Sequence, residues 1–134
     1  MRRFQKWRSD SRRRGNVAIE YALMLPVLLL FILGIMDTGR FLWTYTTLSR
    51  AVQAAARCAA VNTTKCSTDA QIQSSAVAEA WGLSVNPSNF VVTRPLCGVQ
   101  VQTAYNFTFT IPGFYAVPLG TIALNARACY STGA

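Results

Sequence analysis

The longest uninterrupted apolar stretch runs from Val17 to Met36, 20 residues in which Glu20 is the only charge. As a helix rising 1.5 Å per residue it would be about 30 Å long, the thickness of a bilayer's hydrocarbon core. Beyond it the apolar positions become periodic. Phe41, Tyr45, Leu48, Val52, Ala55 and Ala59 recur at alternating steps of four and three, while Arg40, Thr47, Arg50 and Arg57 fall on another face. The pattern predicts one long helix from Val17 to Ala60, apolar all round in its first half and amphipathic in its second. Pro26 removes a backbone donor and crowds the preceding turn, so a helix kink is expected over Leu23 to Pro26, which membrane helices tolerate. Phe41, Trp43 and Tyr45 mark an outer membrane interface, where aromatic rings favour headgroup depth. Asp37 and Arg40, three residues apart, can pair at the surface for about 0.3 kcal/mol.

After Asn62 the pattern changes. Ser67, Thr68 and Asp69 offer caps to a short helix over Ala70 to Trp81, with Ile72, Ala76, Val77, Ala80 and Trp81 as buried candidates and Gly82 as terminator. Asn86 and Pro87 mark a turn, and Phe90 to Arg94 has strand character that Pro95 ends. From Gly98 to Ile111, Val99, Val101, Thr103, Tyr105, Phe107, Phe109 and Ile111 alternate with mostly polar residues, the signature of a strand with one packed face. Pro112 and Gly113 predict a turn, Phe114 to Gly120 a loop, and Thr121 to Tyr130 a last strand with Ile122, Leu124, Ala126 and Ala128 in register. The expected fold is α+β: a long amino-terminal helix, a short helix and about three antiparallel strands laid against the distal part of the long helix.

Charge divides the chain further. Thirteen Lys and Arg against five Asp and Glu make the net charge +8. Residues 1 to 15 carry seven bases and one acid, so +6 of that total lies in a leader before the apolar run. A basic tail there is expected on the cytoplasmic side, because positive residues resist translocation and favour anionic lipid. The remainder is nearly neutral and has no basic stripe interleaved with aromatics, which argues against nucleic-acid binding. The expected organisation is a basic cytoplasmic leader over 1–15, the membrane and amphipathic helix over 16–61, and a small exported head over 62–134.

Cys58, Cys66, Cys97 and Cys129 all follow the apolar run, as expected of two disulfides in an exported domain. Three pairings are possible. Cys58 with Cys66 and Cys97 with Cys129 is favoured, since it closes one helix-to-loop turn and staples two strands. The spacings do not suit zinc, and the chain has no histidine. No metal or cofactor is expected. With so few acids beyond the membrane-proximal helix, a nucleophile and its base cannot be assembled, so an enzyme is not expected.

The junction is the most specific feature. Arg12-Arg13-Arg14-Gly15 followed by Asn16-Val17-Ala18-Ile19-Glu20-Tyr21 resembles the processing site of type IV prepilins, which a membrane peptidase cuts after the glycine. Glu20 is then the fifth mature residue, where that family has glutamate. The adjoining Tyr21 is similar to the tight-adherence (Flp) pilus branch. Ala18 to Leu23, Leu25-Pro26, Gly34, Asp37, Gly39-Arg40 and Ala54 to Arg57 resemble the TadE-like minor pilins of that machine, over about residues 12 to 60. Asp37 stands where glutamate is more usual.

The resemblance implies a minor pilin or pseudopilin, cut between Gly15 and Asn16, whose Glu20 pairs with the ammonium that cleavage creates on a neighbouring subunit. Major subunits of this branch are little more than the helix, so the added head implies a minor role. The implied partners are the prepilin peptidase, other pilins in a hetero-oligomer, and inner-membrane lipid. The head would lie in the periplasm, or outside the cell after assembly. The alternative is a single-pass anchor for an exported adhesin or other binding domain, with no pilus incorporation. A cleaved secretory signal fits less well, because the apolar run exceeds the usual 7 to 15 residues and no small-residue cleavage site closes it.

Overall fold

A computed structural model describes residues 2–110 and 120–132, with side chains from Val17 onward. The chain is α+β: α1 (Arg2–Val61), α2 (Asp69–Glu79), a 3-10 turn (Pro87–Asn89), β1 (Phe90–Thr93), β2 (Val99–Thr108) and β3 (Thr121–Tyr130). Ile111, the Pro112–Gly113 turn and most of the expected loop after it lie outside the described residues. The chain divides into two compact units, Met1–Met36 and Asp37–Ala134.

In the first unit α1 continues through Pro26 with no break in its helical turns. Every residue from Val17 to Met36 except Gly34 is exposed. These are chiefly Leu, Ile, Val, Phe and Met, and an 18-residue window reaches a mean hydropathy of 2.3. A helix that is apolar all round and uncovered by its own chain requires lipid or another protein around it. It is a candidate membrane anchor.

In the second unit, α1 packs through Thr44, Leu48, Ala51, Val52, Ala55, Ala56 and Ala59, all buried. Small residues dominate this stripe, so α2 and the sheet can approach the helix closely. Two positions depart from the expected faces. Tyr45 is 46% exposed and Thr47 is 7% exposed, because the buried stripe is centred on Thr44 and Leu48. One residue along a helix is a turn of about 100°, enough to swing Tyr45 outward and Thr47 inward. Thr44 satisfies its hydroxyl by donating to the Arg40 carbonyl at 2.8 Å.

The Thr68 hydroxyl accepts from Gln71 N–H, and the Gln71 side chain accepts from Thr68 N–H, a reciprocal capping box at the start of α2. Ile72, Ala76 and Ala80 are buried as expected, but Trp81 is 68% exposed. Here the expectation fails because α2 stops at Glu79. Ala80 is the C-cap (φ −86°, ψ 34°), so Trp81 no longer follows the helical phase, and Gly82 then takes a positive φ of 82°. Gln73 Nε2 donates to the Phe90 carbonyl at 2.8 Å, holding β1 to α2.

The sheet has strand order β1-β2-β3, antiparallel throughout. Its inner face carries Val99, Val101, Thr103 and Phe107 from β2 with Leu124 and Ala126 from β3. Each lies at an alternate strand position, and Thr103 pairs with Ala126 in the register. The core thus lies between the sheet, α2 and the distal part of α1.

Both disulfides of the favoured pairing are formed. Cys58–Cys66 closes the end of α1 on the following turn, and Cys97–Cys129 joins the residue before Gly98 to β3. Gly98, at φ 120°, lies so close to Tyr130 that a Cβ there would overlap the Tyr130 carbonyl. No side chain fits, so this crossing requires glycine.

Candidate functional site

Two places carry the chemistry, one in each unit. On α1, Gly15 and Asn16 lie within the helical run. Glu20 and Tyr21 follow on the exposed surface, Tyr21 at 70%. Among the described residues Glu20 has neither a hydrogen-bond nor an ion-pair partner. Its side chain is thus an exposed carboxylate at the head of an otherwise apolar segment.

The second place is at the start of Asp37–Ala134. Asp37 is 2% exposed. The expected pair with Arg40 exists, at 2.9 Å, but it is not a simple surface contact. Asp37 Oδ2 accepts from the Thr110 backbone N–H at 2.8 Å, and Oδ1 accepts from the Thr110 hydroxyl at 3.0 Å. Arg40 in turn donates to Thr110 Oγ1 at 2.6 Å. Its guanidinium carbon lies 5.6 Å from the centre of the Phe107 ring. A buried carboxylate is tolerable only when charge and hydrogen bonds replace its water, and these three groups do so.

Phe41, Phe107 and Phe109 pack beside this latch with ring centres 5.1 to 6.0 Å apart. The cluster joins the end of β2 to the first turns of α1 in this unit. Thr110 was not foreseeable as a partner, since 73 residues separate it from Asp37. We expect Asp37→Ala to orphan the Thr110 N–H and cost about 2 kcal/mol. Thermal unfolding of the detergent-solubilised chain would show a lowered midpoint; an unchanged midpoint would mean the latch contributes nothing.

Arg94 and Asp69 form a further ion pair at 2.6 Å. The hydrogen bond that Arg94 donates to Asp69 Oδ1, together with the Asp69 charge, raises the Arg94 guanidinium above its ordinary pKa. Both side chains are exposed, so the pair is a light tie between the end of β1 and the start of α2. No group of three or more His, Cys, Asp or Glu side chains that could hold a metal occurs among the described residues.

The stretch that starts at Gly15, contains Glu20 and reaches past the Asp37–Arg40 pair is also the stretch with relatives. Residues 15–57 match the family of TadE-like proteins. No curated protein and no solved structure is matched. The TadE-like segment therefore comprises the whole candidate anchor and most of the amphipathic part of α1, whereas α2 and the sheet lie beyond the match. Its first residue, Gly15, is the glycine of the processing-site resemblance. Its last, Arg57, immediately precedes the disulfide at Cys58.

Proposed function

We propose that this chain is a TadE-like minor pilin or pseudopilin of a tight-adherence pilus, cut by a prepilin peptidase after Gly15. The observation that carries this reading is the family match beginning at Gly15 and taking in Glu20. The basic leader stays cytoplasmic, α1 crosses the inner membrane, and the head lies on the periplasmic side. Cleavage leaves an ammonium at Asn16. A lone intramembrane charge costs about 2.5 to 3.5 kcal/mol at a helix centre, and less near an interface, so an ammonium and a carboxylate from two subunits are each stabilised by meeting.

This pairing sets the register between α1 and a neighbouring pilin helix, in a hetero-oligomer that also contains major pilins. The carboxylate's position near the mature amino terminus also suits the helix dipole. The chain's chemistry is that of a substrate and a building block.

Amino-terminal sequencing of the mature protein from cells that make the peptidase tests the first step. The expected first residue is Asn16, and Gly15→Ala should leave the precursor at full length. If the wild-type protein keeps its leader, the chain is an uncut single-pass anchor; if Gly15→Ala matures to the same size as the wild type, the cut does not depend on Gly15 and the prepilin reading fails.

A further inference from the structure

We propose that the face of the head formed by Trp43 and Trp81 is a bilayer-contacting surface, occupied by the phospholipid headgroup region of the leaflet from which α1 emerges. This rests on the reading of α1 as a membrane anchor. The two indoles meet edge to face, with ring centres 5.8 Å apart, yet they are 53% and 68% exposed. Gly82 lies beneath the Trp43 indole, 4.0 Å from Nε1 to the place of a Cβ. The turn after α2 therefore delivers Trp81 to Trp43 without covering either ring.

The neighbourhood favours lipid over water. Leu42, 54% exposed, extends the open apolar surface along α1, on the side that does not carry the buried Thr44 and Leu48. Trp43 lies seven residues beyond Met36, about 10 Å of helix. The hydrocarbon core is about 30 Å thick and the whole bilayer about 40 to 45 Å, so each headgroup layer is some 5 to 8 Å deep. At the average tilt of about 20°, the helix from Val17 to Trp43 rises about 37 Å, some 7 Å past a core of about 30 Å and so within the headgroup layer. Trp81 is held against Trp43, with ring centres 5.8 Å apart, and so within reach of the same layer.

Tryptophan favours this zone because its ring is apolar while its N–H seeks a polar partner. A groove of about 540 Å³ beside the pair is lined by Arg40, Trp43, Gly82, Leu83 and Tyr105 among others, with no carboxylate in its lining. Arg40, whose side chain is 57% exposed, meets Asp37 and Thr110 through Nη1, and its other guanidinium N–H groups suit lipid phosphate. An arginine, one indole and a tyrosine around one open groove, with the second indole against the first, match the mixed chemistry of a headgroup layer.

The full chain, reconstituted at one copy per nanodisc with phosphatidylglycerol and phosphatidylcholine, provides the test. The chain has three tryptophans, so replacing Trp7 and Trp43 by phenylalanine leaves Trp81 as the only indole. Nitroxide-labelled lipid near the headgroups should quench Trp81 about twofold more strongly than label deep in the acyl chains, with blue-shifted emission. A second variant lacks all three native tryptophans and carries Leu29→Trp; there the deep label should quench best. If Trp81 emits as in water while Leu29→Trp is quenched, the anchor stands and the bilayer-contacting face is overturned, as it would be if this face were reserved for a neighbouring subunit. If neither is quenched, the anchor reading fails with it.

Discussion

Glu20→Gln is expected to leave cleavage after Gly15 intact and to cut incorporation into filaments about thirtyfold, equivalent to a lost coupling of about 2 kcal/mol. The amide is nearly the same size as the carboxylate and is cheaper to place in lipid, so membrane insertion is not impaired. What disappears is the counter-charge for the Asn16 ammonium of a neighbouring subunit. The exposed position of Glu20 on α1, without an ionic partner among the described residues, leaves it available for that role. Immunoblots of sheared pili and of the membrane fraction separate the two effects. Cleaved Glu20→Gln protein accumulating in the membrane is the expected result. Wild-type amounts in the sheared fraction would sink the pairing role while leaving the processing step untouched.

Much of the architecture is legible from periodicity because the two signals here are long. A 20-residue apolar run followed by four-three spacing can scarcely be anything but a helix, and the alternation from Val99 onward has the period of a strand over its whole length. Both depend on local geometry alone. The β3 boundaries, Thr121 to Tyr130, coincide with the expected strand for the same reason. The four cysteines yield their pairing because two short-range constraints, a helix-to-loop turn and adjacent strands, left one economical arrangement.

What periodicity hides is where a period stops and what lies across the fold. Extending the phase of α2 through Trp81 buries that ring, whereas the helix ends two residues earlier and releases it to the surface. A two-residue error in a helix end therefore inverts the meaning of the largest side chain in the segment. Asp37 fails differently. Its neighbour at three-residue spacing is visible in sequence, and the expected energy is that of a surface pair. Burial and the Thr110 N–H make it a tertiary anchor. No pattern in the residues near Asp37 points to Thr110, because the sheet must fold before the two meet.

The junction is legible for another reason. Gly15 and Glu20 are read by their spacing from one another and from the basic leader, and the family match over residues 15–57 follows the same stretch. The head, which lies outside that match, has to be understood from its physics.

That physics makes Cys97–Cys129 the staple whose loss should be felt most. Removing both cysteines as Cys97→Ala with Cys129→Ala is expected to cost about 3.7 kcal/mol in the chain-entropy account, against about 2.5 kcal/mol for Cys58→Ala with Cys66→Ala. The difference arises from loop length, since the bonds span 32 and eight residues. It is reinforced by place. Cys97 precedes Gly98, where the backbone passes so close to Tyr130 that no side chain is admitted, and Cys129 faces Gln100 in the register. The bond therefore clamps the end of the sheet at which β2 begins and β3 finishes. Short helices and a three-stranded sheet bury too little for such a loss to be absorbed easily. Far-UV circular dichroism of the full chain in detergent should show a large fall in the thermal midpoint for the Cys97/Cys129 pair and a smaller one for Cys58/Cys66. The reverse order would mean that the end of α1, and not the strand crossing, limits the stability of the head.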